Sequence, residues 1–307
     1  MLRTLRIALL VSLLMVIATA IMVNAQADVT PKASDVLYAG DSQPSDLLDV
    51  YVPDSGSALY PVVVMFTTSS GLKSDLSDFG APQAIVDQGY AAVTVGYRSA
   101  IPATYDDAFC ALAWVYANAA QYNLDSSRIA LYGVSWGGLA AATVAQTDDP
   151  TPYMTDCPNS LPADHAVRGV ITNSGAFLTV PDEIAAMISG GLYPDMAKFP
   201  ADTLQKTMTA LKSITPDQWC CLFFPIDVHE AIYELPIFHV NNHEPPFLMV
   251  QGLADTTVPY QDPFNYAQAL LEQGTSVQMV FDPASQHVVD LAVYQEQMAA
   301  FLKRIFG

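Results

Sequence analysis

Gly133-Val134-Ser135-Trp136-Gly137, continued by Gly138, joins the apolar run Arg128-Ile129-Ala130-Leu131-Tyr132 to a run of small residues over 139–145. The first run predicts a strand and the second a helix, so the serine stands at a sharp strand-to-helix turn. A serine in that place is held in a strained backbone conformation, and its neighbours two positions away must be small for strand and helix to approach. Gly133 and Gly137 meet that demand. Taken alone, the pentapeptide also fits a glycine-rich turn without chemistry, so the rest of the chain has to decide.

Outward from the turn, apolar stretches alternate with helical patterns. Strands are expected near residues 36–38 and 48–52, and then over 60–66, 90–96, 167–173, 246–251 and 276–281. Helices are expected over 78–88, 106–122 and 288–305. Continuous apolar strands alternating with helices predict an α/β protein, a mostly parallel sheet covered on both faces. Residues 176–245 break the alternation, with helix-like pieces at 181–188 and 201–211 and an apolar run at 219–226. An insertion after a strand's carboxyl end is expected to cap the pocket there; a packing subdomain away from substrate is the other reading. The proline-rich residues 146–162 are expected as surface loop at the opposite edge.

A serine hydroxyl is a poor nucleophile at neutral pH and needs a histidine base and a carboxylate to orient it. Asp255 follows the strand at 246–251 by a short loop, and His287 follows the strand at 276–281 in the same way. The expected triad is therefore Ser135, Asp255 and His287, in that chain order. Asp262 is a competing acid, but it begins a helix, where an N-cap role is expected. His239 and His243 are four apart in a stretch carrying Asn241-Asn242 and Pro245-Pro246, a loop that does not place both on one face, so no metal site is expected.

With these residues in place the chain resembles secreted α/β-hydrolases of the esterase and lipase group, close to feruloyl esterase-like and hormone-sensitive-lipase-like carboxylesterases. The similar stretches are Leu48-Asp49-Val50-Tyr51-Val52-Pro53, Pro61-Val62-Val63-Val64, Tyr97-Arg98, Asp125 with Arg128-Ile129, the turn around Ser135, and Pro245-Pro246-Phe247-Leu248 through Asp255 and Val258-Pro259. The resemblance implies an α/β-hydrolase fold with a cap insertion and cofactor-free cleavage of small-molecule carboxylic esters. It makes Ser135 the nucleophile, His287 the general acid and base, and Asp255 the orienting acid. The prolyl-oligopeptidase group shares the turn and the Asp-to-His tail, which keeps a peptidase as an alternative. That group usually adds a large propeller domain, for which this chain has no room.

One stretch departs from the pattern. Such enzymes direct backbone N–H groups at the developing oxyanion, one from the residue after the nucleophile and one from the loop after the third strand. The first donor is expected from Trp136. The second loop usually reads His-Gly-Gly, but here it reads Thr67-Thr68-Ser69. Backbone donors survive the exchange, so Thr68 or Ser69 is expected to supply the second N–H, with a hydroxyl as a further contributor. A collapsed hole and a non-catalytic binding protein is the alternative.

Composition sets the surroundings. The formal charge of −19 comes from few basic residues, with charged residues only 14% of the chain, and argues against nucleic acid and anionic membrane surfaces as partners. Arg3 and Arg6 precede an apolar run over 7–23 and small residues near 25, which predicts an export signal over 1–25 and a secreted or periplasmic catalytic domain over 28–307. A retained single-span anchor is the alternative. Nothing in the sequence specifies an oligomeric state. Cys110, Cys157, Cys220 and Cys221 are an even count in an exported chain, so disulfides are expected. Cys110 and Cys157 are expected at opposite ends of the sheet, which favours Cys110 with one of Cys220-Cys221; free buried thiols are the alternative.

Overall fold

The computed structural model describes residues 29–40, 45–54, 59–181, 206 and 234–307. The expected signal segment, most of the expected cap, Cys220, Cys221 and His229 lie outside the described residues. In the unit that begins at Pro31, the strands are β1 (Ala33–Leu37), β2 (Leu47–Tyr51), β3 (Tyr60–Phe66), β4 (Ala91–Val95), β5 (Leu124–Val134), β6 (Val167–Asn173), β7 (Phe247–Gly252) and β8 (Val277–Asp282). The helices that matter here are α1 (Ser74–Asp78), α2 (Ala81–Val86), α3 (Ala103–Asn118), α4 (Trp136–Gln146), α5 (Gln261–Glu272) and α6 (Leu291–Phe306).

The strands form one sheet in the order β1-β2-β4-β3-β5-β6-β7-β8. The β1–β2 and β2–β4 pairs are antiparallel, and the pairs from β4–β3 through β7–β8 are parallel. Burial follows position: β3 and β4 are buried throughout, while of the edge strands β1 is mostly exposed and β8 mostly half-buried. Successive side chains point to opposite faces. Val62, Val64 and Phe66 accordingly join a cluster with Phe109, Leu112 and Leu139 from α3 and α4, whereas Tyr132, of the other set, places its hydroxyl 2.8 Å from that of Tyr294 on α6. Helices thus cover both faces, which is why the inner strands read as continuous apolar runs.

Three local expectations change. The helix expected over 78–88 is shortened to α2, Ala81–Val86, because Gly80 takes φ 68° and separates it from α1, which ends at Asp78. The last turn of the 106–122 helix tightens into a 3-10 segment, Ala119–Tyr122. The C-terminal helix starts at Leu291, where the Asp290 carboxylate accepts the Ala292 N–H at 2.9 Å and satisfies an otherwise open donor.

The cysteine pairing is also corrected. Cys110 is bonded to Cys157. The proline-rich loop does not stay at the far edge of the sheet. Its 3-10 turn Thr151–Tyr153 folds back on α3, where Tyr153 stacks on Phe109 at 5.4 Å and meets Tyr105 edge-on at 5.7 Å. That aromatic contact carries Cys157 along the helix to within 5.1 Å (Cα–Cα) of Cys110, which lies midway along α3 rather than at its start. The bridge closes a loop with a sequence separation of 47, for which restriction of the unfolded chain gives about 3–4 kcal/mol. Cys157→Ser is therefore expected to lower the denaturation midpoint clearly in oxidising buffer and to leave it near that of the reduced wild type, as followed by urea titration.

Candidate active site

Everything relevant to chemistry stands at the carboxyl ends of the parallel strands, where β3 and β5 are neighbours and the strand sequence runs outward in both directions. Ser135 follows β5 directly and holds φ 54° and ψ −119°, a conformation disfavoured for a residue with a Cβ. Three backbone hydrogen bonds keep it there: its N–H donates to Asn173 O at 2.9 Å, and its carbonyl accepts from Gly138 at 2.9 Å and Ala176 at 3.0 Å. The flanking glycines are sterically required. A Cβ on Gly133 would run into the backbone of Gly137, and one on Gly137 into the carbonyls of Phe66 and Thr67.

The His287 Nε2 lies 2.9 Å from Ser135 Oγ, and its Nδ1 lies 2.8 Å from Asp255 Oδ2. An ionised carboxylate only accepts, so Nδ1 carries the proton and Nε2 is left to accept from the serine hydroxyl. The Asp255 side chain is fully buried and that of His287 is 25% exposed. Asp255 Oδ1 accepts the N–H groups of Thr257 and Val258 at 2.8 and 2.9 Å, and Gln251 Nε2 reaches Oδ2 at 3.2 Å. Burial pushes the Asp255 carboxyl up, but the bonds from His287, Val258 and Thr257 and the histidine's positive charge together bring it below the ordinary carboxylate value. Asp255 is therefore held ionised.

The histidine loop is fastened by residues that sequence reasoning missed. Asn173, at the end of β6, donates to Val289 O at 2.8 Å and accepts from Val289 N at 2.9 Å, and Ser174 Oγ accepts from Val288 N at 3.1 Å. Val288 itself takes φ 64°. The signal available was small: an asparagine, buried in the fold, at the end of the strand Val167–Asn173. Gly252 lets the two loops meet, since a Cβ there would strike the carbonyls of Ser285 and Gln286.

Asp262 is not part of this chain of hydrogen bonds, and it does not cap its own helix. It lies in the first turn of α5 with Tyr260 at the cap position, and its carboxylate accepts from Phe177 N at 2.6 Å and Thr179 Oγ1 at 2.7 Å. The segment after β6, which leans on the nucleophile turn through Ala176, is thereby tied to α5.

Trp136, Thr68 and Ser69 each present a backbone N–H that no acceptor meets among the described residues. The Thr68 hydroxyl does not join them. It bonds to Asp75 Oδ2 and Ser70 Oγ, both at 3.2 Å, so the Thr68 hydroxyl is engaged by the first turn of α1 and its own loop. Among the described residues no group of three or more His, Cys, Asp or Glu is placed to hold a metal ion.

Known proteins are similar to this chain along its length. The chain is 24% identical over 244 residues to Esterase LipC of Mycobacterium tuberculosis, covering 76% of this chain but only 54% of LipC. A truncated carbohydrate esterase from gut microbiota superposes with a TM-score of 0.66 at 23% identity, covering 91% of this chain and 98% of the other. A thermophilic esterase from the Planctomycetes species Thermogutta terrifontis, with propionate bound, gives 0.64 at 17% identity, covering 91% and 95%. These likenesses establish the α/β-hydrolase fold. The prolyl oligopeptidase family matches the C-terminal residues 197–307. Since the BD-FAE family model matches residues 48–219, more than half of its length, the chain belongs to the BD-FAE family.

Proposed function

We propose that this protein is a serine hydrolase that cleaves carboxylic esters of small molecules through an acyl-enzyme. The observation that carries this reading is the unbroken relay from Asp255 through His287 to Ser135, with the serine on a strained turn. In this reading the Ser135 hydroxyl adds to the ester carbonyl carbon while its proton passes to His287 Nε2. The N–H of Trp136 and that of Thr68 or Ser69 hold the oxyanion. The tetrahedral adduct collapses with cleavage of the C–O bond, and His287 returns the proton to the departing alcohol. Water, deprotonated by the same imidazole, then releases the carboxylic acid and restores the serine. Buried Asp255 keeps the tautomer and stabilises the imidazolium.

The family match and the esterase names of the similar proteins support ester over amide substrates. The carbohydrate esterase among them makes acylated sugars part of the substrate class to be tested. The prolyl oligopeptidase match over 197–307 favours a second reading, cleavage of acylated peptides. We also propose export directed by residues 1–25, in keeping with the disulfide. Purified protein is expected to release nitrophenol from short acyl esters, to deacylate acetylated or feruloylated sugars, and to be labelled once per chain by a fluorophosphonate at Ser135. Faster turnover of acyl-peptide amides than of any ester would transfer the assignment to the peptidase reading, and absence of labelling would remove both.

A further inference from the structure

We propose that Tyr97 is a positioning residue that sets the peptide planes of the oxyanion loop Thr67-Thr68-Ser69; this rests on the reading of Ser135 as nucleophile. The Tyr97 hydroxyl donates to Thr67 O at 2.6 Å and Thr68 O at 2.8 Å, sharing one proton between successive carbonyls. In a trans peptide the carbonyl and the following N–H point in opposite directions. Holding those two carbonyls on the tyrosine therefore turns the N–H groups of Thr68 and Ser69 away from it, and these are the loop donors that meet no acceptor among the described residues. A glycine-rich loop reaches such orientations through its own conformational freedom. Here the orientation is imposed from outside.

The clamp is itself firmly placed. Tyr97 is buried, with its ring edge-on to Phe66 at 6.4 Å. Its N–H donates to Gly71 O at 3.2 Å, so the far end of the loop is attached to the same residue. The next residue, Arg98, is fixed by the buried Asp107, which accepts its N–H at 2.7 Å and its Nη2 at 2.6 Å. From the solvent side Asp75 takes Ser70 Oγ at 2.6 Å and Thr68 Oγ1 at 3.2 Å, and Gly71 N closes the turn on Thr68 O at 3.1 Å. Burial, and secondarily the negative charge of Asp75, hold the Tyr97 hydroxyl well above its ordinary value, so it remains a donor throughout the working pH range.

Tyr97→Phe removes only the hydroxyl and leaves the buried Thr67 carbonyl without this partner, free to rotate with the Thr68 N–H. Complete loss of one oxyanion donor reduces kcat by about a hundredfold to a thousandfold. Because the N–H persists but is no longer aimed, kcat for nitrophenyl acetate is expected to fall about tenfold to a hundredfold, with KM nearly unchanged. The affinity for a trifluoromethyl ketone, whose adduct carries the oxyanion, is expected to fall by the same factor as kcat/KM. Tyr116→Phe is the control: it removes a tyrosine hydroxyl that accepts the Ala166 N–H at 3.0 Å, beside the amino end of β6 and so at the opposite end of the sheet from the loop. It is expected to leave kcat and ketone affinity near wild type. If Tyr97→Phe does not accumulate as folded protein, Asp75→Ala releases the loop from its other side and is expected to shift kcat and ketone affinity together severalfold. Tyr97→Phe, or in its absence Asp75→Ala, matching Tyr116→Phe in both readouts, while Ser135→Ala is inactive, overturns the positioning role and leaves the hydrolase reading intact. A wild type that neither turns over esters nor reacts with a fluorophosphonate overturns both.

Discussion

Ser135→Ala is expected to lower kcat for short nitrophenyl esters by about a millionfold, leaving at most a residual thousandfold to ten-thousandfold acceleration over water from oxyanion donors and binding. The size follows from the chain of hydrogen bonds. The imidazole that accepts from Ser135 Oγ at 2.9 Å has no side-chain nucleophile to activate once the hydroxyl is gone. Fluorophosphonate labelling is expected to vanish in the same variant. The fold should be untouched: alanine keeps the Cβ and the backbone bonds to Asn173, Gly138 and Ala176, and relieves none of the strain at φ 54°. A circular dichroism spectrum and melting curve matching wild type, beside absent turnover, is the expected pair of measurements. Turnover equal to wild type would remove Ser135 from the mechanism.

Asp255→Asn is expected to cost about ten-thousandfold in kcat, with substrate binding little changed. The geometry fixes how the amide would sit. The N–H groups of Thr257 and Val258 both require an acceptor at the Oδ1 position, so the amide oxygen goes there and the NH2 faces His287. The imidazole must then accept at Nδ1 and carry its proton on Nε2, where it can no longer take one from Ser135. A pH–rate profile should show the loss at every pH at which the wild type works. Stability supplies a second reading with the opposite emphasis. The lowered carboxyl of Asp255 contributes stability that is present above the ordinary carboxylate range and disappears as pH falls through its lowered value. The stability difference between wild type and Asp255→Asn is therefore expected to narrow on acidification, as followed by thermal melts from neutral to acid pH.

Much of this arrangement was legible before any coordinates. Ser135, Asp255 and His287 each follow an apolar strand by a short connection, and parallel strands bring such positions to one edge. What could not be read were contacts made between segments far apart in sequence. Cys157 reaches Cys110 because Tyr153 finds an aromatic surface on α3, and no spacing announces that. Asp262 resembled a helix cap because caps are local, yet its partners, Phe177 and Thr179, are more than eighty residues away. Asn173 looked like the polar end of a strand and is the fastening of the histidine loop.

The sequence by itself determined the alternation of strands and helices, the glycines that make the serine turn possible, and the identity and order of the residues in the relay. These follow from periodicity and steric demand, which are local and survive in a linear string. Only the tertiary structure showed which groups hold the loop reading Thr67-Thr68-Ser69. Its Thr67 and Thr68 carbonyls accept from a tyrosine hydroxyl at a neighbouring strand's end, and the Thr68 and Ser70 hydroxyls bond to a carboxylate on the helix that follows. Orientation of a backbone N–H belongs to whatever holds the carbonyl before it, and here that partner lies about thirty residues along the chain.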